Sequence, residues 1–390
     1  MGKPLSSIVG LGFSQFSRED IGSTRDLAIA AIEAAVRDAG LDADDLDGLL
    51  ITRSSSAPAH DLPLNIRNDL GFKALRLLSI VDAEGASAVQ AIQHATLALQ
   101  NDMASAVVCV FADARVDSSA SGAAFSRIMS LTGITDWERQ YGLYGAIGPY
   151  ALAARRYMAR YGATQADFGA YAIACRKWAR KNPSAFLRKP FSMEDYLASR
   201  WVVEPLRMLD CAYAVNGAIA VVLTTCERAM DFPRPPVYVH GMGQGHSRLT
   251  GLPALDEKSG SGAAGAAAQA YSMAGIGPGD IDMCQLYDAF SYLGLQLLED
   301  YGLCKPGEAG AFVAEGHTSP GGRLPVNTGG GHLSGFYLQG MTPVSEAVIQ
   351  ARGAGAERQA GHCNAILVNG NGGQSDYHAA LILSPHRSLT

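Results

Sequence analysis

The sequence predicts an α/β protein built from two similar halves, and three observations carry that prediction. The chain repeats itself: Ala39-Gly40-Leu41 matches Ala274-Gly275-Ile276, and Asp45-Leu46-Asp47 matches Asp280-Ile281-Asp282, both 235 positions apart without a gap. Helix-like and strand-like patterns alternate through both copies, the signature of mixed sheets covered by helices. Between the copies, residues 113–205 lose the alternation and turn aromatic, basic and largely helical, as an insertion covering a site would.

The elements follow in order. From Ala34, "AAVRDAGLDADDLDGLLI" reads as an alanine-rich helix stopped by glycine, a short acidic turn and an apolar strand. "AAQAYSMAGIGPGDIDMCQLY", from Ala267, repeats that series. Each copy then continues through a small-residue turn into a helix. In the first half this is "SIVDAEGASAVQAIQHATLAL"; in the second it is "NTGGGHLSGFYLQGMTPVSEAVIQA", whose glycines around 327–340 spoil any regular element before the helix at "MTPVSEAVIQA". Each half closes on a strand of small and apolar residues, at 216–225 and 378–383, and "RPPVYVHG" at 234–241 marks the junction. The predicted domains are therefore 1–230, including the insertion at about 113–205, and 235–390. A duplicated unit of this kind brings two helix N-termini together at a pseudo-dyad. Backbone N–H groups and helix dipoles there favour developing negative charge, as an oxyanion or enolate requires.

Composition narrows the function. With 48% apolar and 17% charged residues, the 390-residue chain can bury a large core. A net charge of −6 argues against a nucleic-acid binder, which carries a basic stripe. Basic residues gather once, between Arg155 and Lys189, either as a solvated helix face or as a local anion site for a phosphate-bearing cofactor. No apolar run approaches the ~18 residues of a membrane span, so no membrane role is expected. "MGKPLSSIVG" lacks the charged and apolar regions of a signal peptide, and the seven dispersed cysteines, none in a CxxC pair, suit a reducing cytoplasm. His240, His317, His362 and His378 show no metal-ligand spacing, so no metal is expected. No GxGxxG or Walker pattern occurs.

The repeat, "LYDAF" at 286–290, "PVNTGGGHLS" and "NGNGG" at 369–373 together resemble the thiolase superfamily. The pattern is nearest to its sterol-carrier-protein or lipid-transfer-protein branch, among the steroid side-chain-cleaving acyl-CoA aldolases. The likeness spans essentially the whole chain, including "NPSAF" and "EPLRMLDC" in the insertion and "LEDYGLCKPGEAGAFV" before the loop. It implies the thiolase fold, an αβαβα layering of two pseudo-repeated halves with a helical loop domain. Members that perform thiolytic or Claisen chemistry carry a nucleophilic cysteine where this chain has Gly85. Their loop histidine falls on Tyr337, their second cysteine on Asn369, and the Asn or His of the "LYDAF" segment on Tyr287. Cys284 and Cys363 lie close by in sequence but read as small buried thiols.

The side-chain-cleaving aldolases hold tyrosines at both places, so the resemblance assigns catalysis to Tyr287 and Tyr337. It implies retro-aldol cleavage of a β-hydroxyacyl-CoA, such as a 17-hydroxysteroid side-chain thioester, to a ketone and propionyl-CoA. Such cleavage needs a base for the β-hydroxyl, a donor for the thioester enolate and an acid for its α-carbon, and no covalent intermediate. Tyr287 is the expected base and Tyr337 the donor and proton source, with the reverse assignment open. A phenol of pKa about 10 becomes a competent base where nearby donors favour its phenolate. Gly85, bare of a side chain, is expected to leave room for a bulky β-carbon. The same resemblance places further substrate contacts at Gly85, Asp288, Gly331, His332 and Asn371. Gly85 and Asn371 would offer backbone N–H donors, Asp288 would orient its segment, His332 would bond within the loop, and the loop glycines would let backbone approach the thioester. No cofactor is implied beyond the CoA of the substrate. The implied partners are a second copy of the chain and a small zinc-ribbon/OB-fold protein, in a heterotetramer or larger. The alternatives are a thiolase-like acyltransferase and a non-catalytic acyl-CoA or lipid-binding protein.

Overall fold

A computed structural model of the chain describes residues 3–54, 62–114, 140–143, 145–246 and 262–389. Residues 115–139 and 144 of the expected insertion lie outside them. The first half runs β1 (Ser6–Phe13), α1 (Thr24–Ala39), β2 (Gly48–Thr52), α2 (Leu62–Asp69), β3 (Leu77–Val81), α3 (Ser87–Gln100) and β4 (Ala106–Asp113). Helices α4 (Ile147–Tyr161), α5 (Gln165–Ala179) and α6 (Met193–Ala198) follow, with a small hairpin of β5 (Trp201–Val203) and β6 (Leu206–Arg207), before β7 (Gly217–Thr224). The second half comprises β8 (Val237–His246), α7 (Gly262–Ala274), β9 (Met283–Gln285), α8 (Ser291–Asp300), α9 (Ala309–Ala314), α10 (Met341–Ala351), β10 (Ile366–Gly372) and β11 (Tyr377–Ser384).

The repeat is physical. α1 stops at Gly40 and α7 at Gly275, at φ of 70° and 71°, and each is followed by a one-turn 3₁₀ segment, 43–45 or 278–280, that delivers the chain to β2 or β9. At the start of α1, Ser23 and Asp26 form a reciprocal capping box that satisfies two backbone donors.

The nine long strands form one sheet in the order β3-β2-β4-β7-β1-β8-β11-β10-β9. The two halves are joined edge to edge by a short antiparallel pairing of Ser6–Ile8 with Val237–Val239. Alternation along the strands then sorts the core into layers. Val108, Val110, Ala220 and Val222 face Leu27, Ala31 and Ile32 of α1. Their neighbours Val107, Cys109, Phe111 and Val221 face a middle layer made of α3 and α10, with Val89, Ile92, Val344 and Val348. That layer also meets Ile366, Val368 and Leu381 of the second half, whose neighbours Leu367, Ala380 and Ile382 turn outward to α7, α8 and the insertion helices. The order is αβαβα, as expected. Because α3 and α10 are covered by sheet on both sides, their N-termini open into the middle of the protein, where the site lies.

Candidate active site

The two central helices begin against each other. A Cβ built on Gly340, just before α10, would lie 2.8 Å from the Gly85 carbonyl oxygen, just before α3. Two segments bring tyrosines to this point. Tyr287 leaves the end of β9, its backbone N–H donating to Asn369 Oδ1 at 2.8 Å. Tyr337 follows the glycine-rich loop, its N–H donating to the Tyr213 carbonyl at 2.8 Å, while the Tyr213 N–H returns to His332 O at 2.8 Å. The segment after the insertion thus pins both ends of the loop. The phenol oxygens of Tyr287 and Tyr337 meet at 2.6 Å, in a hydrogen bond in which either can donate. Tyr287 is buried, whereas Tyr337 is partly exposed.

Gly85 sits under the buried phenol. A Cβ there would fall 2.3 Å from Tyr287 Cζ and Oη and 2.2 Å from the Asn371 carbonyl oxygen. The space expected for a substrate's β-carbon is therefore occupied by Tyr287, because the ring of one half has moved into the volume left empty by the other. Two of the loop glycines sit against carboxylates. Gly331, at φ +60°, faces the Asp288 carboxylate, with its ideal Cβ 2.3 Å from Oδ2, and Gly329 faces Glu346. Both also line the cavity described below.

Asp288 and His332 lie beneath the tyrosines, each wholly buried. His332 opens a single π turn, Gly331–Gly335, and its N–H donates to Asp288 Oδ1 at 2.7 Å. Its ring is edge-on to both phenols, with centroids 4.7 Å from Tyr287 and 4.9 Å from Tyr337. Nε2 faces the Gln339 carbonyl at 2.9 Å, tying the turn to the chain just past Tyr337. Asp288 Oδ2 accepts from the Cys175 thiol at 3.4 Å. So Asp288 orients the loop and His332 bonds within it, as the sequence suggested. Asn371 is used through its side chain, which donates to Tyr150 Oη at 3.0 Å.

Burial sets the electrostatics. It pushes the Tyr287 phenol well above its usual range, and the neighbouring Tyr337 and Tyr150 phenols add to the shift. This contradicts the expectation that nearby donors would favour a phenolate. Burial also drives Tyr150 upward, pushes the Asp288 carboxyl up to about 7 and, acting on His332, presses its ring down to about 3. Cys284 is sealed in β9 and its thiol is raised by burial, while Cys363 is raised more modestly, so neither is an activated nucleophile. Among the described residues no group of three or more His, Cys, Asp or Glu could hold a metal ion, and no helix is long and apolar enough to cross a membrane. In the basic cluster, Arg176 is buried and turned inward to Ser334 Oγ and the Lys189 carbonyl, and Arg155 pairs with Glu204 at the surface.

Sequence reasoning missed three residues that build this site: Tyr150, Asn369 as an anchor of the Tyr287 backbone, and Asn327, which accepts from Leu286 N at 2.6 Å. Only the resemblance drew attention to position 369, as an absent cysteine; nothing in local spacing marks the other two. A cavity of about 440 Å³ lies nearby, lined by Phe13, Phe186, Phe336, Glu346 and His332 but by neither tyrosine. The cavity and the phenol pair are thus separate features that share the His332 ring.

Comparisons with known proteins place the chain in a family. The thiolase C-terminal domain-like family model matches residues 245–385. The chain is 35% identical to a steroid side-chain-cleaving aldolase of Thermomonospora curvata, over 94% of this chain and 95% of that one. It is also 35% identical to the 17-hydroxy-3-oxo-4-pregnene-20-carboxyl-CoA lyase of Mycobacterium tuberculosis, over 94% and 96% of the two chains. Among solved structures, an Ltp2–ChsH2(DUF35) aldolase superposes with a TM-score of 0.86 at 34% identity, covering 98% of each chain. On fold, sequence and extent of match, the chain belongs to the thiolase superfamily, in the lipid-transfer-protein branch that contains the steroid side-chain-cleaving aldolases.

Proposed function

We propose that the protein is an acyl-CoA-dependent aldolase that cleaves a β-hydroxyacyl-CoA, of the 17-hydroxysteroid side-chain type, into a ketone and a short acyl-CoA such as propionyl-CoA. The observation that carries this reading is the 2.6 Å contact between the Tyr287 and Tyr337 hydroxyls at the two helix starts. Activities of the relatives support the substrate class. Gly85 stands where the thiolases hold their nucleophilic cysteine, so the reaction runs without an acyl-enzyme.

The contact also answers the raised pKa of Tyr287, because two touching phenols can relay a proton without a free phenolate. One hydroxyl accepts the substrate's β-OH proton as it passes its own to the other. The Cα–Cβ bond breaks, the β-carbon becomes a ketone, and the electron pair forms the thioester enolate. The second hydroxyl, hydrogen-bonded to the thioester oxygen, delivers its own proton to the α-carbon of the nascent enolate in the same event as it receives one from the first. Neither phenol becomes an oxonium or a phenolate. The β-OH proton is thereby replaced on carbon, and the relay needs neither metal nor redox cofactor. The partly exposed Tyr337 meets substrate at the entrance, and the helix N-termini favour the enolate's charge.

Partners follow the same reading. The chain acts as a homodimer joined through β3, an edge strand whose Leu77, Leu78 and Ile80 are half-buried with one side unpaired in the sheet. It works with a small DUF35-type protein of zinc-ribbon and OB-fold build, in line with the assembly named for its structural relative. The test is a cleavage assay on the chain co-expressed with such a partner, using a 17-hydroxysteroid 20-carboxyl-CoA and mass spectrometry of ketone and propionyl-CoA. Wild type is expected to release both, and Tyr287→Phe and Tyr337→Phe to lose about 10²–10³-fold in kcat each. Tight acyl-CoA binding without cleavage would favour a carrier instead, and cleavage surviving in both variants would end the tyrosine mechanism.

A further inference from the structure

The Asp288–His332 contact holds a polar imbalance whenever the carboxyl is ionised and the ring is neutral. His332 Nε2 points at the Gln339 carbonyl, which only accepts, so Nε2 carries a proton. In a neutral ring that leaves Nδ1 as a bare lone pair, and Nδ1 has no hydrogen-bond partner. The nearest polar atom to it is Asp288 Oδ1, at 3.4 Å, another acceptor when the carboxyl is ionised. The carboxyl is meanwhile held by donors at both oxygens. The His332 N–H reaches Oδ1 and the Cys175 thiol reaches Oδ2. Donors at both oxygens of one carboxyl suit the anion, not the acid.

We propose that Asp288 and His332 hold one proton between them on the Nδ1 side, making His332 an imidazolium that donates to both Gln339 O and Asp288. Every lone pair and donor is then matched, which is the condition under which a buried ion pair is tolerated. Burial penalises each charge taken singly, pushing Asp288 up to about 7 and His332 down to about 3, but the pair together is a compact dipole with no net charge. The two groups therefore titrate as one unit.

The consequence is functional and rests on the tyrosine relay proposed above. An imidazolium edge-on to both phenol rings, at 4.7 and 4.9 Å between centroids, places positive charge against the two rings whose hydroxyls exchange protons. That counters the burial which raises Tyr287. Among the described residues no other cation faces the pair, and Glu84 adds to the upward push on Tyr287. On α5 the groups facing Asp288 are Cys175 and the Tyr171 phenol, and Arg176 of the same helix is engaged with Ser334 Oγ and Lys189 O. On α10, Glu346 is paired with Arg358, and the remaining neighbours are Tyr287, Tyr337 and the neutral Asn327 amide. Asp288 is thus a positioning residue, acting through His332.

The test is ¹⁵N NMR of the histidine-labelled full-length chain with its partner, the His332 signals being assigned by difference against His332→Gln. Both His332 nitrogens are expected to be protonated at pH 7 in wild type, and only one in Asp288→Asn. In parallel, kcat for cleavage in Asp288→Asn should fall about 10–100-fold with KM little changed. Its alkaline limb should move down by about one pH unit or more, because an imidazolium without its carboxylate releases its proton sooner as pH rises. A purely structural Asp288 would lower activity equally at every pH and leave the limb in place, and that result would overturn the proposal. So would a singly protonated His332 in wild type at pH 7. Should wild type fail to cleave any β-hydroxyacyl-CoA, the aldolase reading falls while the spectrum still decides the protonation.

Discussion

The starts of α3 and α10 occupy equivalent places in the repeat and are furnished in opposite ways. At α3 the chain is stripped to Gly85, against which Asn371 O and the Tyr287 ring press. At α10 the corresponding turn carries Tyr337 and His332, with Asp288 underneath. One half supplies room and the other supplies the reactive groups. The duplication therefore provides a symmetric frame of dipoles and backbone donors, and the chemistry comes from breaking that symmetry in side chains. A thiolase-type cysteine could not coexist with this arrangement, since its Cβ alone would collide with the Tyr287 hydroxyl.

The strongest way to break the contrast is to add one methyl to the bare side. Gly85→Ala should cost about 2–3 kcal/mol or more in unfolding free energy and at least ~100-fold in kcat, because neither the Asn371 backbone nor the packed phenol can yield. Gly340→Ala, at the equivalent start, should be milder, since its closest contacts are 2.8 Å to Gly85 O and 3.1 Å to Ala88 Cβ. Equal effects by chemical denaturation and steady-state kinetics would mean that the asymmetry has been misplaced. On the furnished side, Gly331→Ala forces a side chain into φ +60° and onto Asp288 Oδ2. It should lose about 1–3 kcal/mol, with a larger fractional loss of kcat than of stability if the carboxylate steers His332. Tyr150→Phe should be the smallest. It removes the acceptor of the Asn371 amide, whose Oδ1 is already without a partner, for about 1–2 kcal/mol and little change in kcat. A kcat loss rivalling that of Tyr337→Phe would instead place Tyr150 in the proton relay.

Much of this was legible in the chain, and for definite reasons. Helix stops at Gly40 and Gly275 are local, requiring only a glycine past an apolar period, so the repeat could be read residue by residue. The same holds for the turns that enter α3 and α10. The β1–β8 pairing that makes one sheet of two could not be read, because three residue pairs between distant strands leave no period in either. At the site, Tyr287 and Tyr337 came from resemblance to a family rather than from spacing. Tyr150, Asn327 and Asn369 escaped because their work is hydrogen bonding across the fold, such as the bond from Tyr287 N to Asn369 Oδ1, between residues far apart in sequence.

What the sequence by itself determined is the architecture, through patterns of period 2 and 3.6 and helix stops, and which side chains are proposed to react. What only the tertiary structure decided is how those side chains behave. Gly85 looked like room for substrate and proved to be room for Tyr287. The Tyr287 phenol needed donors to ionise and proved to be buried. Gly329 and Gly331 of the loop proved to face carboxylates. The reason is physical. Volume and proton affinity at a site depend on which distant atoms fold into contact and how far they exclude water, and neither quantity is a property of any one segment.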